Sequence, residues 1–148
     1  MSELRELYQE VILEHSKHPR NFRALDAANH KAEGFNPLCG DHFTVYVDVQ
    51  DGSIHDIAFE GSGCAISKAS ASIMTQSLKG KSAGEAEELF SKFHDLVTGH
   101  GSGDEMGKLA AFSGVSEFPL RVKCATLAWH TFRNAVEEGK NAVEEGAA

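Results

Sequence analysis

Three cysteines and one aspartate are the residues of this chain that are best suited to chemistry. Cys39 lies in the stretch NPLCGDHF, two residues before Asp41, whereas Cys64 follows a GSG sequence and Cys124 lies within RVKCATLAW. Three thiolates and one carboxylate make a four-ligand set of mostly soft donors, which suits Zn2+ or an iron–sulfur cluster better than Mg2+ or Ca2+. Because a carboxylate is the weaker and more exchangeable contact, Asp41 predicts a site that stays loaded but can open.

A small sheet is predicted to bring Cys39 and Cys64 to one place. Alternating apolar and polar residues predict a strand over 43–49, and an Asp-Gly pair, typical of a two-residue hairpin turn, leads into a second strand over 54–60. Residues 31–35 are expected to add a third strand. Since an antiparallel hairpin returns the end of its second strand beside the start of its first, Cys39 and Cys64 should emerge at the same edge of the sheet.

Helical spacing of apolar residues predicts helices on both sides of these strands along the chain. Strands followed by helices indicate an α+β fold, in which helices pack on one face of a small three-stranded antiparallel sheet. Cys64 and Cys124 would then lie at the starts of two helices, where unpaired N–H groups and the helix dipole favour thiolates. The predicted helices span 3–16, the small-residue stretch after Cys64, 83–98, Met106–Phe112 and Val122–Glu138.

Composition argues against several classes of protein. The chain has 148 residues and a net charge of −8, which argues against a nucleic-acid partner because phosphate contacts need clustered Lys and Arg. Its apolar runs are far shorter than the roughly 20 residues of a membrane span, and three cysteines are too few for a secreted disulfide scaffold. We therefore expect one cytoplasmic domain over residues 1–148, with no membrane association and a loose C-terminal tail over about 139–148.

Two alternatives to this ligand set come from the same residues. A single cysteine in a globular protein is more often an inert, small apolar residue, and only the shared placement of all three, beside glycines or at helix starts, favours a metal. His42 adjoins Asp41 and is a further candidate ligand, but as the first residue of a strand it would point to the opposite side. The sequence contains no glycine-rich nucleotide motif, Ser-His-Asp set or CxxC pair.

Four motifs occur in order over nearly the whole chain: YQEVILEHSKHPRNF, NPLCGD, GSGCAISKASASIM and RVKCATLAW. Together they resemble the U-type iron–sulfur cluster assembly family, which includes the NifU N-terminal domain and the IscU and SufU proteins. The resemblance implies a compact α+β fold and a metal site formed by Cys39, Asp41, Cys64 and Cys124. It also implies a cysteine desulfurase partner that delivers sulfur as a persulfide.

Three features distinguish this chain from the scaffold-type members of the family that it resembles. Lys123 stands where those members have a His before the third cysteine, and EFPLRVK replaces a Leu-Pro-Pro-Val-Lys chaperone site. The stretch between Ser82 and Cys124 is also longer than in scaffold-type members. All three features point to the SufU-like branch, which resembles a zinc-dependent sulfur acceptor of a SUF system. In that branch Arg121 and Lys123 are expected to support the metal ligands or to bind the partner.

The function that this resemblance implies is zinc-dependent sulfur transfer in iron–sulfur cluster assembly. A cysteine desulfurase of the SufS type would donate persulfide sulfur, and the chain would relay it to downstream cluster-assembly or apo iron–sulfur proteins. Cys39 is the expected acceptor, because a loop held by Pro37 and Gly40 tolerates displacement better than the packed helices of the other two cysteines. Two alternatives remain: a scaffold that assembles a transient 2Fe–2S cluster, and a structural zinc module that only displays a docking surface.

Overall fold

The computed structural model describes residues 2–101, 106–138 and 142–143, and its centre is an antiparallel sheet. The three principal strands are β1 (His30–Asn36), β2 (Asp41–Gln50) and β3 (Ser53–Ser62). Strand β2 lies in the middle, paired on one side with β1 and on the other with β3. The three predicted strands are confirmed, and each extends slightly beyond its predicted range because the ladder of backbone hydrogen bonds continues there.

The turn between β2 and β3 sets the register of the sheet. Asp51 and Gly52 both have positive φ angles, 53° and 78°, which is the conformation of a type I′ turn and is tolerated best by Asp, Asn and Gly. With this turn in place Val45 lies opposite Phe59, and both side chains are fully buried together with Phe43. The buried face of the sheet therefore follows from a two-residue turn and from alternation along the strands.

The helices confirm most of the predicted ranges and correct two of them. The short helix predicted over Met106–Phe112 is a 3₁₀ helix that continues to Glu117. The last helix begins at Pro119 rather than at Val122, because proline is favoured at the first helical position, where its missing N–H is not needed. Within the described ranges no helix is both long and apolar enough to cross a membrane. The helices are α1 (Ser2–Lys17), α2 (Ala65–Leu78), α3 (Ala83–Val97), the 3₁₀ helix (Gly107–Glu117) and α4 (Pro119–Glu138).

Helices α2 and α4 pack on the buried face of the sheet, which confirms the predicted α+β fold. The contact between β1 and α4 is close, since a side chain at Gly34 would collide with Thr131 and press on Leu127 of α4. The two elements run in opposite directions, because His30 at the start of β1 contacts the carbonyl oxygen of Ala135 near the end of α4, with 3.0 Å between the ring Nδ1 and that oxygen. The end of β1 therefore lies over the first turns of α4.

A further strand, β4 (Ala142–Val143), pairs in parallel with Gly34 and Phe35 of β1. It falls in the segment 139–148, for which a loose tail is predicted. The remainder of that segment lies outside the described residues, and its looseness stays a prediction. Because β1 is the outer strand of the antiparallel sheet, this pairing covers part of its free edge.

Candidate metal centre

Cys39 lies in a tight turn between β1 and β2 that is organised by Asn36. The backbone carbonyl oxygen of Asn36 accepts hydrogen bonds from the N–H groups of Cys39 (3.3 Å) and Gly40 (2.7 Å). Its side-chain oxygen Oδ1 accepts a third bond from Leu38 N–H (3.0 Å). Gly40 has a φ of 77°, a left-handed conformation that favours glycine. These contacts fix the backbone of the turn, while the Cys39 side chain is exposed.

Cys64 occupies a packed corner at the start of α2. It caps this helix, since its Sγ accepts a hydrogen bond from Ser67 N–H (3.4 Å) and also lies 3.5 Å from the Ser67 hydroxyl oxygen. Its own N–H donates to Oδ1 of Asp41 (3.0 Å). Gly63 leaves no room for a side chain, because a Cβ there would come within 2.8 Å of Phe43 and 3.0 Å of Asp41. The Cys64 sulfur is therefore held by hydrogen bonds in this corner, although Cys64, like Cys39, is exposed to solvent.

Cys124 comes from α4 and lies deeper than the other two thiols. Because α4 begins at Pro119, Cys124 is its sixth residue, and the prediction that it lies in the first turn is wrong. Its relative exposure is 5 %, and its Sγ lies 3.4 Å from the Sγ of Cys39. The thiol that was expected at a helix start is therefore a buried thiol under the Cys39 turn.

The four predicted ligands come together at one end of the sheet. Ligand atoms of Cys39, Asp41 and Cys124 all lie within 4.8 Å of one another. Cys64 stands beside this group, with its Sγ 4.0 Å from Oδ2 of Asp41. Two sulfur atoms bound to one tetrahedral zinc ion lie about 3.7 Å apart, since each Zn–S bond is about 2.3 Å long. The separation of 3.4 Å between the sulfurs of Cys39 and Cys124 is close to this size.

The thiols of Cys64 and Cys124 have pKa values that are shifted in opposite directions. A hydrogen bond from the Cys124 thiol, helped by the hydroxyl and N–H of Ser67, lowers the pKa of Cys64 to about 6. The same hydrogen bond, together with burial and the neighbouring Cys39, raises the pKa of Cys124 above its usual value. The lowered pKa of Cys64 agrees with the expectation of a thiolate at a helix start, whereas Cys124 lies beyond the first turn of α4 and its pKa is raised.

The chemistry of these side chains fits a soft metal ion. Asp41 has a relative exposure of 1 %, and a buried carboxylate needs hydrogen bonds or a nearby cation. The side-chain nitrogen Nδ2 of Asn36 is buried too, and among the described residues no acceptor lies within hydrogen-bonding distance of it. An unpaired buried donor costs about 1–3 kcal/mol. A buried carboxylate and a spare donor beside three thiols fit a site that holds a cation and negatively charged sulfur.

Three other residues considered from the sequence lie around this group rather than inside it. His42 is exposed on the outer face of the sheet, where its Nε2 pairs with Oε1 of Glu33 at 2.9 Å, so it points away from the thiols. Arg121 stacks on the ring of Phe118, with 4.5 Å from the guanidinium carbon to the ring centre. It also lines a groove of about 520 Å³ between α1, the 3₁₀ helix and α4. Lys123 is half-buried in α4.

Comparison of the sequence with known protein families identifies the family to which this chain belongs. The family described as the NifU-like N-terminal domain matches residues 7–138, a range that contains all four candidate ligands. The chain belongs to this family. The predicted resemblance to U-type iron–sulfur cluster assembly proteins is thereby confirmed.

Relatives of this NifU-like domain carry two kinds of name. A protein of Streptococcus pyogenes serotype M1, named iron–sulfur cluster assembly scaffold protein IscU, is 40% identical over 144 residues, which cover 96% of this chain and 90% of that protein. A protein of Bacillus subtilis strain 168, named zinc-dependent sulfurtransferase SufU, is 41% identical over 139 residues, which cover 91% and 94%. A crystal structure of a NifU-like N-terminal domain from Brucella abortus superposes with a TM-score of 0.81 at 25% identity, covering 97% and 99%.

Sequence reasoning missed three residues that shape the centre of this NifU-like domain. They are Asn36, Gly63 and Ser67. An Asn before a Pro is a signal for a turn, so the organising role of Asn36 was open to prediction. Ser67 stands three residues after Cys64. The side chain of a helix-capping residue commonly accepts a hydrogen bond from the backbone N–H at that position. The tight packing at Gly63 has no comparable signal, because it depends on the side chains of β2 that meet it.

Proposed function

We propose that this NifU-like domain is a zinc-dependent sulfur acceptor that takes sulfane sulfur from a cysteine desulfurase and relays it to iron–sulfur cluster assembly. The observation that carries the proposal is the unequal setting of three thiols around one buried carboxylate, with Cys39 exposed on a turn, Cys64 held at a helix start and Cys124 buried. These thiols and Asp41 would hold the zinc ion. When bound, zinc keeps its thiol ligands deprotonated.

The transfer step needs one accessible thiolate, and we assign this role to Cys39. Its Sγ attacks the outer sulfur of the desulfurase persulfide, so that a new S–S bond forms on Cys39 while the old S–S bond breaks and the desulfurase cysteine leaves as a thiolate. This exchange moves one sulfur atom and needs no oxidant. Cys39 suits the role because it is exposed and because, within the described part of the chain, its sulfur has a single weak contact, with the Sγ of Cys124 at 3.4 Å. Cys124 is buried, and the sulfur of Cys64 is held by Ser67.

An apolar rim beside the thiols supports docking of the desulfurase. Leu38, Phe118 and Leu120 have relative exposures of 59 %, 47 % and 56 %. Leu38 adjoins Cys39 in the chain, and Phe118 and Leu120 flank the first residue of α4, the helix that carries Cys124. Exposed apolar side chains near one site are typical of protein interaction surfaces. Arg121 is stacked on Phe118 and adds a cation to this rim. We assign Arg121, together with Lys123, to binding of the partner.

Peptide mapping by mass spectrometry tests the acceptor. The zinc-loaded chain is incubated with a cysteine desulfurase and L-cysteine, its thiols are alkylated, and the extra sulfur atom is located. We expect it on the peptide that contains Cys39, and we expect none in Cys39→Ser. A persulfide on Cys124 in the zinc-loaded chain would overturn the assignment to Cys39. A chain that acquires no sulfur at all would overturn the sulfur-acceptor function.

A second function is favoured by the similarity to the Streptococcus pyogenes IscU protein. In this alternative the chain is a scaffold whose cargo is a transient 2Fe–2S cluster, and the same four side chains suit that cargo as well as zinc. Metal content and absorption of the freshly purified protein separate the two functions. Stoichiometric zinc without visible colour supports sulfur transfer, as the name of the Bacillus subtilis relative does. Iron and sulfide with a brown chromophore support the scaffold.

A further inference from the structure

Asn36 carries a buried hydrogen-bond donor that the fold does not use. Its side chain is fully buried, and its Oδ1 accepts a bond from Leu38 N–H, so the orientation of the amide is set. Within the part of the chain that the structure describes, its Nδ2 has no acceptor. Buried donors in folded proteins are nearly always paired. An unpaired one in the turn of a candidate reactive thiol therefore indicates an acceptor that arrives during function.

The packing of β1 on α4 shows where this donor lies. Gly34 faces Thr131 and Leu127 on α4, and the two elements run in opposite directions. Asn36 follows two residues later on the same buried face of β1. Two strand residues span about 6.6 Å, which is close to the length of four helix residues, about 6 Å. Four residues back along α4 from Thr131 and Leu127, Asn36 therefore lies over the stretch 123–127, which contains Cys124.

We propose that the Asn36 amide binds the sulfane sulfur while Cys39 carries it, an inference that rests on the function proposed above. The Sγ of Cys39 is 3.4 Å from the Sγ of Cys124, so its side chain already reaches the buried layer. A persulfide sulfur extends the side chain by about 2 Å. The terminal sulfur is an anion, and an N–H donor in a buried setting stabilises an anion more strongly than it stabilises a neutral group. Asn36 thus holds the sulfur on this chain until a downstream protein takes it.

The position of the sulfur-exchange equilibrium tests this role. Persulfidated desulfurase and the zinc-loaded chain are mixed until exchange is complete, and the ratio of sulfur on Cys39 to sulfur on the desulfurase is measured by peptide mapping. Asn36→Asp keeps an oxygen for Leu38 N–H but removes the donor, and we expect the ratio to fall about tenfold. Asn29→Asp is the matched control, because the Asn29 amide donates to Val49 O (2.8 Å) at the other end of the sheet. It should keep the wild-type ratio.

Zinc affinity separates sulfur binding from a purely structural role of Asn36. It is measured by competition with a chromophoric chelator in the same variants. Asn36→Ser removes the amide NH2 without adding a charge, and its hydroxyl, one bond shorter, retains an oxygen for the turn. We expect it to lower the sulfur ratio like Asn36→Asp while its zinc affinity stays close to that of the wild type. An equal loss of zinc affinity would mean that Asn36 only shapes the turn and would overturn the inference. Wild-type ratios in both variants would overturn it as well, whereas a wild-type chain that takes up no sulfur overturns the proposed function instead.

A measurement on the unmodified chain does not depend on how the variants fold. In a 15N-labelled, zinc-loaded sample, the side-chain NH2 signals of Asn36 are compared before and after sulfur loading. We expect one proton to shift downfield and to exchange more slowly with water, while the signals of Asn29 stay in place. An unchanged Asn36 signal in a sample whose Cys39 is loaded according to mass spectrometry would overturn the inference.

Discussion

The Cys39 turn and the Cys64 corner lie at the same end of the sheet but hold their thiols in opposite ways. In the turn, the hydrogen bonds run from backbone N–H groups to Asn36, and among the described residues the Cys39 sulfur has a single weak contact, with the sulfur of Cys124. In the corner, the Cys64 sulfur itself receives a hydrogen bond from Ser67, and the Cys64 N–H is bound to Asp41. One segment fixes the chain and frees the side chain, whereas the other fixes both.

This difference shows that exposure and thiol acidity are not enough to identify an acceptor. Both cysteines are exposed, and Cys64 is the one whose pKa falls to about 6. A lower pKa increases the thiolate fraction but decreases the intrinsic nucleophilicity of the sulfur. A sulfur that is held from several sides also cannot follow an incoming partner. Freedom of the side chain, rather than its charge, therefore favours Cys39.

Replacement of each cysteine gives the largest expected effects. Cys39→Ser should lose at least about a hundredfold in sulfur uptake, because a hydroxyl is not ionised near neutral pH and does not attack a persulfide. Cys64→Ser should chiefly lower zinc affinity, with sulfur uptake recovering when excess zinc is supplied. Mass spectrometry and chelator competition measure the two quantities. If Cys64→Ser abolishes sulfur uptake at saturating zinc while Cys39→Ser retains it, Cys64 rather than Cys39 is the acceptor.

The two glycines beside these thiols provide the next test. Gly63→Ala should lower the free energy of unfolding by about 3 kcal/mol, since its Cβ would press on Phe43 and Asp41. Gly40→Ala should cost only about 1 kcal/mol, because its Cβ meets no described atom within 4 Å and only the positive φ is unfavourable. Urea unfolding of both variants provides the values. Equal losses would mean that the turn is as tightly packed as the corner.

Lowering the pH should decrease the folding stability of the protein through His15, which contacts α2, rather than through a thiol. His15 is buried against Ser72 of α2, the helix that Cys64 caps, with 2.7 Å between Nδ1 and the hydroxyl oxygen. Burial, and then the charges of Arg20 and Lys108, lower the pKa of His15 to about 4. The unfolded chain, with a His pKa of about 6.5, therefore binds the extra proton between about pH 6.5 and 4, and stability falls as the pH drops through this window. Between pH 7 and 5 we expect a loss of about 2 kcal/mol from this residue.

His15→Gln isolates that contribution, because glutamine does not titrate. The difference in unfolding free energy between wild type and variant should shrink by about 2 kcal/mol from pH 7 to pH 5, as measured by urea unfolding at each pH. A difference that is independent of pH would show that His15 is already protonated, or not titrating, in the folded chain.

Loss of the cation on the apolar rim should have the smallest effect on the fold. Arg121→Ala is expected to weaken stimulation of the desulfurase while its thermal midpoint stays nearly unchanged, because exposed side chains contribute little to stability. Arg23→Ala is the matched control, since Arg23 pairs with Asp56 at 3.0 Å on β3. Stimulation at the wild-type level in Arg121→Ala would remove this residue from the docking surface.

Much of this arrangement could be predicted from the sequence because it depends on local patterns. Alternation along 43–49 and the Asp-Gly turn define the hairpin, and the hairpin places Cys39 near Cys64. The depth of Cys124 could not be predicted in the same way. It depends on the start of α4 at Pro119, three residues before the predicted one, and this shift moves the thiol from the first turn into the buried part of the helix.

The different surroundings of the Cys39 and Cys64 sulfurs could not be predicted from local sequence patterns either. The spare donor of Asn36 exists only because α4 packs over the end of β1 and excludes water from the amide. The packing at Gly63 combines the nearby hydroxyl of Ser67 with the side chains of Phe43 and Asp41 on the neighbouring strand β2. Side-chain environments of this kind combine residues that are far apart in the chain, and no spacing rule within one segment describes them.

The short pairing of Ala142–Val143 with Gly34 and Phe35 has a consequence for crowded solutions. An uncovered outer strand offers a row of unpaired N–H and C=O groups to neighbouring copies and thereby promotes aggregation. Here the polypeptide occupies part of that row with its own C-terminal segment, directly beside the turn that bears Cys39. Copies that collide at this edge therefore find fewer backbone groups to pair with.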